Sequence, residues 1–161
     1  MFAQEGIPAR RRPRCWLWLW VLLLLGWLGL GGPAWSISLG DPLPEWAKSM
    51  QVGRQRLRGV EHYQGQEQIR AYGNQAGRVF WIQIESSADL PPDPRQYLGE
   101  YQAFPAEVIQ VVPLRAQRLR FRQGNRSAEW QVVGMSGHFE AEAFSYDLAP
   151  PELFRAQAGE P

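Results

Sequence analysis

His138, Glu140 and Glu142 fall at alternate positions of the stretch His138-Phe-Glu-Ala-Glu-Ala-Phe-Ser-Tyr146. Alternate residues of an extended strand share a face. An imidazole with two carboxylates is a donor set that zinc or iron accepts. Same-face neighbours lie about 6.5–7 Å apart along a strand, so the three side chains have to lean together, and a fourth ligand such as His62 has to arrive from elsewhere. A solvated polar face opposite Phe139, Ala141 and Ala143 needs none of this. No metal or cofactor is therefore expected, and these three residues stand as weak metal candidates.

Arg118, Arg120 and Arg122 form a second alternating row, flanked by Arg115 and Arg126. Such a row suits an anionic partner or lipid head groups, held by charge-assisted hydrogen bonds. A polar strand face balanced by acids is the simpler and favoured explanation, with Glu140 and Glu142 as the expected cross-strand partners. The candidate contact with an anionic partner is Arg118, Arg120 and Arg122.

Nucleophile chemistry finds little support. Gly134-Met-Ser-Gly137 sets Ser136 near His138, but it is one residue short of a nucleophile elbow, and no spacing requires Asp147 as a third member. The single Cys, Cys15, lies near the N-terminus, phosphate-cradling glycine loops are absent, and the chain has only two His, the residue type that most often serves as a general acid or base. The chain reads as non-catalytic.

The N-terminal segment has its own chemistry. Arg10-Arg-Arg-Pro-Arg14 precedes sixteen residues, Cys15 to Leu30, interrupted only by Gly26 and Gly29. Gly31-Gly-Pro33 then breaks the run, and Ala34-Trp-Ser36 offers the small residues a signal peptidase fits. Residues 1–36 are thus expected to be a signal peptide. Sixteen apolar residues are short of the roughly 20 that span a bilayer, and the alternative is an uncleaved anchor over residues 15–32. Either way, the chain after Pro33 is expected on the exported side.

Loss of this leader removes four Arg and Glu5, leaving 13 basic and 15 acidic residues and a net charge of −2. That balance does not suit a nucleic-acid partner. No Cys remains for a disulfide, so the 125 residues after the leader must be held by one core.

Periodicity supplies the elements. Trp46, Met50, Gly53 and Leu57 at helical spacing, after Asp41-Pro-Leu-Pro44, predict one N-terminal helix over 45–57. From Gln68 the period becomes two. Gln68–Tyr72 and Arg78–Glu85, with Phe80, Ile82 and Ile84 on one face, form a hairpin around a Gly/Asn turn. Prolines make 86–95 a loop. Glu107–Leu114 is a strand that Pro113 places at a sheet edge or bulge. Arg118–Arg122 turns at Gly124-Asn125 into a return strand through Ala128, Trp130 and Val132, which directs Leu119 and Phe121 inward with Trp130 and Val132. His138–Tyr146 is the sixth strand. The expected fold is mainly β, an antiparallel β-sandwich or open barrel with one N-terminal helix. It occupies a single domain over 37–154, with a loose tail at 155–161. Trp46, Tyr72, Phe80, Trp81, Phe104, Phe121, Trp130, Phe139 and Phe144 supply enough aromatic bulk for the core.

Three stretches, Gly77-Arg-Val-Phe-Trp81, Phe104-Pro-Ala-Glu-Val-Ile109 leading to Pro113-Leu-Arg-Ala-Gln-Arg-Leu119, and Tyr146-Asp-Leu-Ala-Pro150, carry a resemblance. In that order they resemble a family of short exported cyanobacterial proteins catalogued as a domain of unknown function. This chain departs from the pattern at Ala106, where Gly is expected. The resemblance implies a periplasmic or thylakoid-lumenal domain that works by binding, and it carries over no catalytic residue. The functional expectation is a non-catalytic accessory or binding domain on the exported side, contacting a membrane complex or an anionic lipid surface. The alternative is a small β-barrel that holds an apolar ligand such as a lipid or pigment.

Overall fold

The computed structural model describes residues 36–53, 55–112 and 115–158, the side chains of 155–158 excepted. The expected leader, apart from Ser36, and the alternative anchor over 15–32 lie outside the described residues. So do Pro113, Leu114 and the last three residues of the expected tail. Among the described residues no helix is long and apolar enough to cross a membrane.

The chain is mainly β. Its strands are β1 (Lys48–Val52), β2 (Gln55–Gln64), β3 (Glu67–Gly73), β4 (Val79–Ser86), β5 (Ala106–Val112), β6 (Ala116–Gln123), β7 (Arg126–Met135) and β8 (His138–Ser145). All neighbours are antiparallel in one open sheet of order β1-β2-β3-β4-β8-β7-β6-β5. Two four-stranded meanders are therefore joined where β4 meets β8, and β1 and β5 are the edges.

All six expected strands are present, as β3 to β8. The helix expected over 45–57 is not. Residues 48–52 and 55–64 form a hairpin in which Met50 pairs with Leu57 and Lys48 with Gly59. Met50 and Leu57, which a helix would set on one stripe, also share a face when they oppose each other across a hairpin, so the spacing did not discriminate. Gly53 decides it. Its φ of +59° suits the tight turn and no helix interior, and β3 offers β2 a full ladder from Arg58 to Gln64. Trp46, assigned to the helical stripe and the core, is 59% exposed. At the other end a helix, α1 (Pro151–Ala158), runs across the domain boundary drawn at residue 154.

Strand alternation separates two faces. Val60, Ile69, Ala71, Ile82, Ile84, Ala128, Trp130, Val132, Phe139, Ala141 and Ala143 are buried on the inner face. The segment after residue 36 and the β4–β5 connection cover it, burying Ile37, Leu39, Tyr97, Leu98 and Tyr101. The Leu39 N–H donates to the Tyr97 carbonyl at 2.8 Å, the Tyr97 ring stacks on Trp130 at 6.0 Å, and the Tyr101 hydroxyl bonds Ser145 and Asp147, each at 2.8 Å. The 3-10 turns Pro94–Gln96 and Gly99–Ala103 build that cover. Phe80, expected beside Ile82 and Ile84, is equally buried but lies in the cluster with Leu57 and Tyr72. The register shift between Tyr72 and Gly73 turns it there. Leu148, Ala149 and Leu153, at and before α1, pack on that cluster.

Candidate functional site

The outer face of the sheet is organised in rows by cross-strand register. One row runs Arg118, Gln131, Glu142, Gln83, Arg70, Glu61, each directly opposite the next on β6, β7, β8, β4, β3 and β2. Every member can donate or accept hydrogen bonds. The adjacent row runs Arg120, Glu129, Phe144, Trp81, Tyr72 and Gly59. Lys48 on β1 stands opposite Gly59 and ends the row; a Cβ at Gly59 would meet the Ala71 carbonyl at 2.9 Å and the Tyr72 ring at 3.0 Å, so Gly lets the tyrosine lie across the strand.

Glu129 is the centre of the polar half. It is 7% exposed, and a carboxylate that far from water requires partners. Arg118 donates to it through Nε, Arg120 through a terminal nitrogen at 3.2 Å, and the Tyr146 hydroxyl at 3.3 Å. The bond to Glu129 raises the Arg118 pKa, and burial beside the Glu129 charge raises that of Tyr146, so both remain donors. The expected cross-strand partners, Glu140 and Glu142, do not fill this role, because β7 intervenes between β6 and β8. Arg122, the third of the row, is exposed and opposite Ser127.

Glu142 is the second carboxylate. It accepts from the Trp81 indole N–H, and burial nevertheless pushes its pKa up, with the Glu129 charge adding to the rise. Trp81 and Phe144 meet edge to face at 6.3 Å, and the Phe154 ring from α1 stacks on Tyr146 at 6.3 Å and meets Phe144 at right angles. Between these rings and Arg118, Gln131 and Glu142 lies a cleft of about 290 Å³. A polar trough of about 250 Å³ continues from it past Gln83 to Arg70, which is paired with Glu61 and Glu85 at 2.8 Å each.

The weak metal candidates part company. His138 and Glu140 lie 3.7 Å apart in open solvent, whereas Glu142 is engaged by Trp81. His62 pairs with Ile69 on the inner face, so it cannot complete a set with His138 on the outer one. Among the described residues no three His, Cys, Asp or Glu side chains converge as a metal site. Nor do Ser136, His138 and Asp147 meet. The Ser136 hydroxyl donates to Asp89, and Asp147 lies beyond the far end of β8, bonded to Tyr101 and Ser127.

Among the described residues the groups that meet here are hydrogen-bond donors, carboxyls and aromatic rings. The arrangement presents oriented guanidinium donors, a carboxyl whose pKa burial raises, and an aromatic wall. Glu129 was not singled out in the sequence reading, although the two-residue Gly124-Asn125 turn sets it opposite Arg120. Compared with protein-family models, with curated proteins and with solved structures, the chain gives no match.

Proposed function

We propose that the protein is a non-catalytic binding domain of the exported side of a membrane, and that it works through the cleft on the outer face. The observation that carries this is the buried Glu129. By taking the Nε donor of Arg118 and one donor of Arg120 it fixes both guanidiniums before any partner arrives, and preorganised donors lose less on binding. Glu129 also cancels one of the row's three positive charges and ties up donors of two of its members, leaving Arg122 as the exposed member. The reading therefore moves from the whole arginine row to the cleft.

The ligand is amphipathic. An apolar ring or chain end lies against Trp81, Phe144 and Phe154, and a hydroxyl or amide head meets Gln131, Glu142 and the remaining Arg118 donors. Pockets for drug-sized ligands hold about 300–1,000 Å³, so about 290 Å³ takes one ring or one head group and not a whole lipid or pigment. Membership of all eight strands in one sheet supports the open-barrel side of the expected fold. The leader and the resemblance to exported cyanobacterial proteins support placement in a periplasm or thylakoid lumen.

Native mass spectrometry of the full chain recovered from the exported fraction tests this. A bound organic molecule in the wild type, lost in Trp81→Ala and Arg118→Gln, is expected. A bare wild-type protein that co-purifies with a stable protein partner moves the function to partner contact, a retained metal ion reopens metal chemistry, and a bare protein without either defeats the proposal.

A further inference from the structure

The row Arg118, Gln131, Glu142, Gln83, Arg70 crosses the strands instead of following one. Each member belongs to the next strand of the sheet, so planar hydrogen-bonding groups recur at the strand spacing of about 4.8 Å. Several are only partly engaged. Gln83 accepts from the Tyr72 hydroxyl at 3.1 Å and keeps its amide donors, Glu142 gives one oxygen to the Trp81 indole, and Arg118 bonds Glu129 through Nε alone. Among the described residues the exposed Gln131 amide has no hydrogen-bond partner. Free donors and acceptors therefore follow one another from the aromatic cleft into the trough.

Resting on the cleft reading above, we infer that the ligand is a neutral oligosaccharide. One ring sits with its C–H face against Trp81 and Phe144, and further units lie along the trough toward Arg70. A hydroxyl both donates and accepts, which such a mixed row satisfies, and a sugar unit in an extended chain advances by about one strand spacing. Charge narrows the class, because Glu85, Glu140 and Glu142 line the trough against one arginine, Arg70, and a surplus of carboxylates turns away an anionic chain. An extended peptide is recognised on a sheet through main-chain bonds at an edge. The trough instead lies over β7, β8, β4 and β3, interior strands whose backbone groups are already paired. A lipid tail would need an apolar floor where the row sets Gln131, Glu142 and Gln83.

Isothermal titration of the chain from the exported fraction, with linear β-1,4-linked oligomers of glucose and of N-acetylglucosamine, tests this. In at least one series affinity is expected to rise through about three units, the span of the three strand spacings from Gln131 to Arg70, and then level off. Gln83 lines the trough and not the cleft. Gln83→Ala should therefore weaken the trimer about fivefold, the equivalent of about 1 kcal/mol for one hydrogen bond, and leave the single sugar unchanged, while Trp81→Ala weakens both. Gln83→Glu, which keeps an acceptor for Tyr72 and removes the donors, should reproduce the loss in a folded chain. No binding of either series at millimolar concentration, affinity independent of length, or a galacturonate trimer bound as tightly as the neutral ones would overturn the inference. A retained molecule that is not a sugar and is lost in Trp81→Ala overturns the sugar and leaves the cleft standing. Oligomers that bind the wild type and Trp81→Ala alike overturn the cleft, and the inference with it.

Discussion

Along β7 consecutive residues alternate between two different solutions to contact with water. Ala128, Trp130 and Val132 face inward and are sealed by Tyr97, Leu98 and Tyr101, while Glu129 and Gln131 face outward into a lined but uncovered cleft. The inner face is stabilised by area removed from water, at about 25 cal/mol per Å². The outer face depends on reciprocal satisfaction of polar groups, where the net gain per hydrogen bond is only about 1 kcal/mol and a missing partner is the larger effect. One strand thus carries the core on its even residues and, under the proposed function, recognition on its odd ones. A change on one side should leave the other legible.

The sharpest test of that division is on the inner side. Trp130→Ala should cost about 3–5 kcal/mol, and Phe121→Ala, at the rim of the same layer, should fall toward the lower end of that range. Trp130→Phe should cost far less, since the indole N–H it removes is buried without a hydrogen-bond partner. Chemical denaturation measures all three. On the outer face Glu129→Gln should cost about 1–3 kcal/mol, below the range for breaking a fully buried pair because both arginines keep access to water. Arg120→Gln should stay within about 0.5 kcal/mol. If Arg120→Gln unfolds the chain while Phe121→Ala does not, the two faces have been assigned the wrong way round.

The smallest expected effect depends on pH. The folded chain holds the Glu142 carboxyl above its ordinary pKa, mainly by burial, so between the unfolded and folded values it keeps a proton that the unfolded chain releases. The stability this contributes is full below the unfolded value and is lost as pH rises through the folded one. Glu142→Gln should therefore match the wild type in acid and exceed it at neutral pH. Thermal unfolding of both proteins at pH 4 and pH 7 checks this, and a gain confined to the acid side contradicts it.

Strict alternation made most of this readable from residue order. Burying Leu119 and Phe121 leaves no register that does not also expose Arg118, Arg120 and Arg122, and the structure keeps that register. β1 and β2 were not readable, because residues opposed across a hairpin mimic a helical stripe and only the backbone angle at Gly53 separates the two. Tyr97 and Tyr101 have no periodic neighbours, so nothing local marks them as core. The site was half visible. The arginines announced themselves by their spacing, whereas Glu129 sits alone between Ala128 and Trp130, and its role appears only when the turn at Gly124-Asn125 is used to count the partner across the hairpin. Glu142 was noticed for the wrong companions, since its neighbours across the sheet are glutamines and its hydrogen-bond donor is a tryptophan.

The seam between β4 and β8 has a consequence for how the chain reaches this state. Each meander is built from neighbours in sequence and can form early, because short loops close at little entropic cost. β4 and β8 are the last strands of their halves, and each presents an open inner edge until it meets the other. A chain that emerges N-terminus first therefore carries the β4 edge unpaired across the synthesis of more than 50 further residues, from Ser86 to His138. The sheet becomes continuous only when nearly the whole sequence is available. The amide protons of the β4–β8 ladder should then exchange only with opening of the whole domain, while those of β1 report its fraying edge.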